Sequence, residues 1–157
     1  MTTVKTLKAP DRELFSICMS AARLSHRSIG DDGGPKDLDL AKRLIKAGDE
    51  HAKAIRGMLV YAEVDAPRYF WQEMNTYTVG VEPLGSESTM HDRPKLSGAE
   101  LVEYKRNLPE GTMQKRILVF SYQTLSRIYK QRKKHRLPDW QDFYVWIETL
   151  PFAELIV

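Results

Sequence analysis

The chain has 157 residues, 42% of them hydrophobic and 29% charged, with a formal net charge of +3 at pH 7. Those values describe an ordinary soluble domain, spanning 1–157, with enough apolar side chains to bury a core. No apolar run approaches the ~20 residues needed to cross a bilayer, and the mild positive charge permits an anionic ligand without demanding one.

The opening stretch MTTVKTLKAPDRELF lacks the apolar core and small-residue cleavage site of a secretory signal. Cys18 is the only cysteine, which rules out an intramolecular disulfide and suits a reducing compartment. The expected location is therefore cytoplasmic. Val4 to Leu7 is read as a short strand. Asp11 then caps a helix in which Leu14, Ile17, Cys18, Ala21, Ala22 and Leu24 recur at roughly helical spacing. The glycines and aspartates of IGDDGGPKD break the pattern, and Pro35 disfavours helix just before it.

Asp37 is expected to cap a second helix whose inner stripe is Leu38, Ala41, Leu44 and Ile45, with Gly48 as its stop. The β-rich run GMLVYAEV predicts a strand from Gly57 to Val64. Pro67 fits the first turn of a helix reaching Tyr77, with Phe70, Trp71 and Met74 facing inward. No regular element is predicted between Thr78 and Lys95. A connection that long is usually functional or disordered, which draws interest to its polar stretch GSESTMH, Gly85 to His91. Ser97 and Glu100 have the form of a capping box at the start of a short helix. Beyond Leu108-Pro109, Ile117, Phe120, Thr124, Leu125, Ile128 and Tyr129 predict one amphipathic helix of about five turns. Pro138-Asp139 caps a last helix carrying Trp140, Phe143, Trp146 and Ile147. The fold class expected is α+β: a helix-rich single domain with a small antiparallel sheet.

Three chemistries can be weighed on these elements. Ser86 or Ser88 with His91 invites a serine nucleophile, but such a hydroxyl needs a base in contact and an orienting carboxylate behind it, and the G-x-S-x-G elbow is absent. A polar turn is the simpler reading. His26, His51, His91 and His135 are scattered, without H-x-x-x-H or C-x-x-C spacing, so no metal site is expected. Arg127, Lys130, Arg132, Lys133, Lys134 and Arg136 crowd one stretch. The default role of such a cluster is to complement the negative end of a helix. Arg132, however, lies four residues after Ile128 and eight after Thr124, so it continues the buried stripe. A guanidinium leaning inward requires an anionic partner, and a nucleotide phosphate would supply one. Non-specific nucleic-acid binding is the competing use, with a thin footprint at this total charge.

Taken in order, several segments resemble the flavin-dependent thymidylate synthases, as a divergent, shortened relative. AARLS (Ala21 to Ser25) is similar to the family's AAR-x-S, and LAKRLIKAGDEH to its LIKHGHES helix end. MLVYAEVDAPRYFWQEM resembles the strand, proline turn and helix leading into the RHRxxS signature. GSESTMH falls where the family has N-E-x-S-x-R-Y, and LPEGT and SYQTLSRIYKQR resemble its late LP…T and N-x-R-S-L-x-x-F-x-x-x-R. The resemblance implies Ser88 beside the substrate ring as the catalytic position, with Glu73, Ser86 and Arg132 also on the substrate. It further implies Ser25, His51, Ser121 and Arg127 near a flavin, FAD. It implies a pyrimidine deoxynucleotide as ligand, methylenetetrahydrofolate as carbon donor, and a homo-oligomer, specifically a tetramer. The RHR positions hold Thr76, Tyr77 and Thr78, or a one-residue shift of these, so the two signature arginines are missing, and Met90 stands for the arginine that follows the signature serine.

Overall fold

The computed structural model describes residues 1–91 and 95–157. Four strands form one antiparallel sheet: β1 (Thr3–Lys8), β2 (Leu59–Pro67), β3 (Val81–Ser86) and β4 (Met113–Ser121), in the order β1-β2-β4-β3. Six helices accompany it: α1 (Arg12–Arg23), α2 (Pro35–Ala47), α3 (Arg68–Met74), α4 (Gly98–Arg106), α5 (Tyr122–Arg132) and α6 (Pro138–Glu148). The expected α+β class, helix-rich around a small antiparallel sheet, is what the chain adopts.

Sheet and core follow from alternation. Val60, Ala62, Val64 and Ala66 of β2 are fully buried while Tyr61, Glu63 and Asp65 between them are not, the period-2 pattern of a strand with one covered face. Phe15 and Met19 of α1, Phe70 and Trp71 of α3, Leu125 and Ile128 of α5, and Trp140 and Phe143 of α6 complete one hydrophobic cluster with it. At ~25 cal/mol per Å² of apolar surface, each large side chain buried here contributes roughly 1.5–3 kcal/mol.

Several expectations need correction. The predicted five-turn helix is two elements, because Ile117, Leu118, Val119 and Phe120 belong to β4. The chain switches at Ser121, whose side chain accepts from the Thr124 N–H at 3.2 Å and caps α5. A strand also runs through the connection read as structureless: β3 pairs with β4 from Val81↔Phe120 to Ser86↔Arg116. It escapes detection because it is an edge strand with only Val81 buried, and it carries Pro83 and Gly85 at an irregularity in the ladder. Residues 92–94 of that connection lie outside the described residues.

Asp37 does not cap α2. It lies in the first turn, buried, while the Asp31 carboxylate accepts from the Lys36 and Asp37 N–H groups. Ser97 occupies the N-cap of α4 without a side-chain hydrogen bond, so the capping box is not made. Asp139 sits one residue inside α6, after Leu137 and Pro138, and its carboxylate turns to other work. Ile17 and Leu24, read as part of the inner stripe of the first helix, are exposed. Asp11, Gly48 and the inward Phe70, Trp71 and Met74 stand where the sequence puts them.

Candidate functional site

Thr124 and Ile128 are buried along α5, and Arg132, on the same stripe at the helix end, turns its guanidinium inward. An anion meets it from within the chain. Arg132 Nη1 donates to Glu73 Oε2 of α3 at 3.0 Å, and Arg132 Nε donates to the Tyr77 hydroxyl at 3.0 Å. The same Glu73 oxygen accepts from Trp140 Nε1 at 2.8 Å and lies 3.2 Å from His135 Nε2. The guanidinium carbon stands 5.0 Å from the Trp140 ring centroid and 5.7 Å from that of Tyr77. The partner that burial of Arg132 requires is thus supplied by Glu73, which corrects the expectation that an external phosphate must supply it. The cluster stays open to solvent: the two side chains are 20% and 30% exposed.

Tyr144 is a buried phenol whose hydroxyl has no hydrogen-bond partner among the described residues. Burial raises its pKa first and Tyr77 raises it further, while the Arg132 charge pulls it the other way. Glu73 and Arg132, two of the expected substrate residues, are therefore in contact. His135 and Trp140, which join them, carry no sequence signal: His135 lacks metal-ligand spacing, and an aromatic residue at helical spacing reads as core.

The Ser86–His91 stretch is the end of β3 followed by a turn. Ser88 is exposed, its hydroxyl oxygen accepts the Met90 N–H at 3.3 Å, and its carbonyl accepts the His91 N–H at 3.1 Å. Thr89 is buried and receives a hydrogen bond from Lys105 Nζ. Ser86 lines a cavity of ≈ 330 Å³ with Glu63, Glu87, Lys115 and Arg116. Among the described residues, Arg132 does not line it.

Arg116 is a residue that motif reading misses. Its guanidinium lies 4.3 Å above the Trp71 ring and bonds only neutral amides, Gln114 Oε1 at 2.9 Å and Asn75 Oδ1 at 3.0 Å. Burial lowers its pKa, and among the described residues no carboxylate pairs with it. Its position in a strand that reads as helix hides it.

Of the expected cofactor residues, Ser25 and His51 come together. Both line a cavity of ≈ 480 Å³, within the size range of ligand pockets, along with Arg23, His26 and Lys53. Arg23 is committed to Asp37 at 2.8 Å, which leaves Lys53 as the cation there without an ion pair among the described residues. Arg127 lines a different cavity, of ≈ 250 Å³, with Thr76, Tyr77, Thr78 and Thr124, and donates to Asp49 at 3.0 Å. Ser121 is buried and its hydroxyl is used within α5, bonding Thr124 Oγ1 at 3.0 Å. The donor set suits a flavin at Ser25, His51 and Lys53, while Ser121 offers it no free hydroxyl. Among the described residues no group of three or more His, Cys, Asp or Glu side chains could hold a metal ion, and no helix is long and apolar enough to cross a membrane.

No family model matches the sequence, and no curated protein matches it. Solved structures do. Flavin-dependent thymidylate synthase ThyX from Helicobacter pylori, complexed with FAD and dUMP, superposes with a TM-score of 0.72 at 14% identity, covering 98% of this chain and 97% of that one. A second structure of Helicobacter pylori ThyX with FAD and dUMP gives 0.74 at 16% identity, covering 98% and 96%. At such identities the likeness speaks for architecture: this chain has the fold of the flavin-dependent thymidylate synthases.

Proposed function

We propose that the protein binds a pyrimidine deoxynucleotide, with Ser86, Ser88, Glu73 and Arg132 on the nucleotide and FAD beside Ser25, His51 and Lys53. The observation that carries this reading is the near-complete superposition on structures holding FAD and dUMP. The family motifs, weak one by one, also fall in the right order along the chain. The corresponding reaction is methylation of deoxyuridylate, with methylenetetrahydrofolate as the carbon donor. Reduced flavin supplies the hydride when bound. The chain's own part is to bind and orient: Arg132, fixed by Tyr77 and Trp140, presents donors to the nucleotide, and Ser88, in the stretch that follows β3, lies beside the ring. Because Arg132 is not among the described residues lining the cavity at Ser86, the complete site is proposed to form between subunits of a homo-oligomer, a tetramer.

A second reading belongs to another class: a nucleotide-binding or interaction module without flavin chemistry. The missing signature arginines favour it, together with the commitment of Arg23, Arg127 and Arg132 to Asp37, Asp49 and Glu73.

Absorbance and thermal shift on one preparation separate the two. A protein that is yellow, or takes up added FAD, and is stabilised by dUMP is the outcome expected of the enzyme. Stabilisation by dUMP alone selects the module. At a ligand concentration of 100 times Kd the stabilisation amounts to about 2.7 kcal/mol. Arg132→Ala is expected to lose that stabilisation while keeping its circular dichroism spectrum. Full retention of dUMP stabilisation in the variant removes Arg132 from the site.

A further inference from the structure

The Glu73–Arg132 pair is built from four directions. Glu73 comes from α3, Arg132 from the end of α5, His135 from the link beyond it, and Trp140 from α6. Three donors converge on a single oxygen, Glu73 Oε2, from Trp140 Nε1 at 2.8 Å, Arg132 Nη1 at 3.0 Å and His135 Nε2 at 3.2 Å. His135 Nδ1 accepts the Leu137 N–H at 3.3 Å, so the ring has its hydrogen on Nε2 and donates it to Glu73. The guanidinium in turn is pinned by the Tyr77 hydroxyl and by the Trp140 face. Neither partner can swing away without giving up several contacts at once.

A guanidinium so placed has one strong preference, an oxyanion, and Glu73 already satisfies it. A second anion brought to Arg132 would stand beside an ionised carboxylate in a half-buried setting, where like charges repel more strongly than in water. We infer that Glu73 is a resident counter-ion that sets the ligand chemistry of Arg132. In the native chain Arg132 accepts an uncharged oxygen, and a phosphate group is kept off it. The cluster is partly exposed, so a small anion can reach it and access is not the barrier. Applied to a nucleotide, this rests on the reading above and puts the base or sugar, not the phosphate, at Arg132. The counter-ion role itself needs no nucleotide.

The test uses the full chain, inorganic phosphate as probe, and calorimetric titration at constant ionic strength. Glu73→Gln preserves the shape and an acceptor oxygen for Trp140, and is expected to bind phosphate at least tenfold more tightly than wild type. Glu73→Gln combined with Arg132→Gln is expected to return to the wild-type affinity. Equal affinity in Glu73→Gln and wild type overturns the inference, as does a gain that survives in the double variant. Should Glu73→Gln fail to fold, wild type decides by NMR. Its Arg132 Nε–H resonance is expected to hold still under a phosphate titration, and movement at low phosphate overturns the proposal. Parallel titrations with dUMP and deoxyuridine keep the two readings apart. If neither binds any form, the nucleotide reading falls and the phosphate result still stands or fails alone.

Discussion

Asp139 carries two structural bonds at once. Its carboxylate accepts from Thr2 Oγ1 at 2.7 Å and from the Tyr69 hydroxyl at 2.8 Å, which ties the N-terminus and α3 to the start of α6. Burial pushes its pKa up, but the hydrogen bonds from Thr2 and Tyr69 outweigh that and hold it below the ordinary value of 3.8. A depressed carboxyl stabilises the fold above its unfolded pKa, and that contribution is lost as pH falls through the folded value. Asp139→Asn is therefore expected to cost about 1–3 kcal/mol at neutral pH, the usual penalty for breaking buried charge-assisted hydrogen bonds. Its loss of stability from neutral pH down through the ordinary carboxyl range should also be shallower than wild type's. Urea denaturation at a series of pH values measures both, and an identical pH slope in the variant removes Asp139 as a contributor. Single residues of this kind were only half legible in the sequence. Asp139 beside Pro138 announced a helix start correctly, but its partners lie more than a hundred residues away at Thr2 and seventy away at Tyr69. Glu73 and Arg132 are likewise 59 residues apart, so spacing could point Arg132 inward but could not say what would meet it.

The junction of β4 with α5 shows how a correct apolar pattern can mislead about an element. Ile117, Phe120, Thr124 and Ile128 do fall at helical intervals, and the last two are indeed helical. An inner strand paired on both sides, though, also reads as a continuous apolar run, and periodicity alone cannot tell the two apart. The boundary is fixed by Ser121 and by the turn at Gly80. Gly80 has φ +77, its carbonyl accepts the Ser121 N–H at 2.8 Å, and an added Cβ would lie 2.2 Å from Thr124 Oγ1 and 2.6 Å from Ser121 Oγ. Gly80→Ala is expected to destabilise the protein by about 2–5 kcal/mol, combining left-handed strain of ~1–2 kcal/mol with overpacking of ~1–3 kcal/mol. A change below about 0.5 kcal/mol in equilibrium unfolding would mean that the turn leading into β3 relaxes freely, and that its geometry does not fix the start of α5. The strand β3 itself was invisible for the opposite reason: its outward side chains and lack of alternation leave nothing for a pattern to detect.

The molecule taken whole was more legible than its parts, because a chain order of weak motifs constrains topology even where each motif is ambiguous. The α+β class and its thymidylate synthase-like architecture follow from that order; the site does not, because it depends on contacts between residues far apart in the chain, such as Glu73 and Arg132. One misreading is informative here. Ile17 and Leu24 fit the inner stripe of α1 by spacing, yet they are 59% and 76% exposed in the single chain, with the exposed Ala21 between them. Isolated apolar residues on a surface need no explanation, but a stripe along one helix face suits burial against another copy. If the proposed oligomer forms across this face, light scattering coupled to size exclusion should report a multiple of the single-chain mass. Ile17→Asp combined with Leu24→Asp should shift it toward one chain, because two carboxylates would have to be buried without partners. The substitutions touch no core residue, so the circular dichroism spectrum should persist. A variant that keeps the wild-type mass would show that α1 faces solvent in the assembly, and would move the interface to another surface such as the exposed edge of β3.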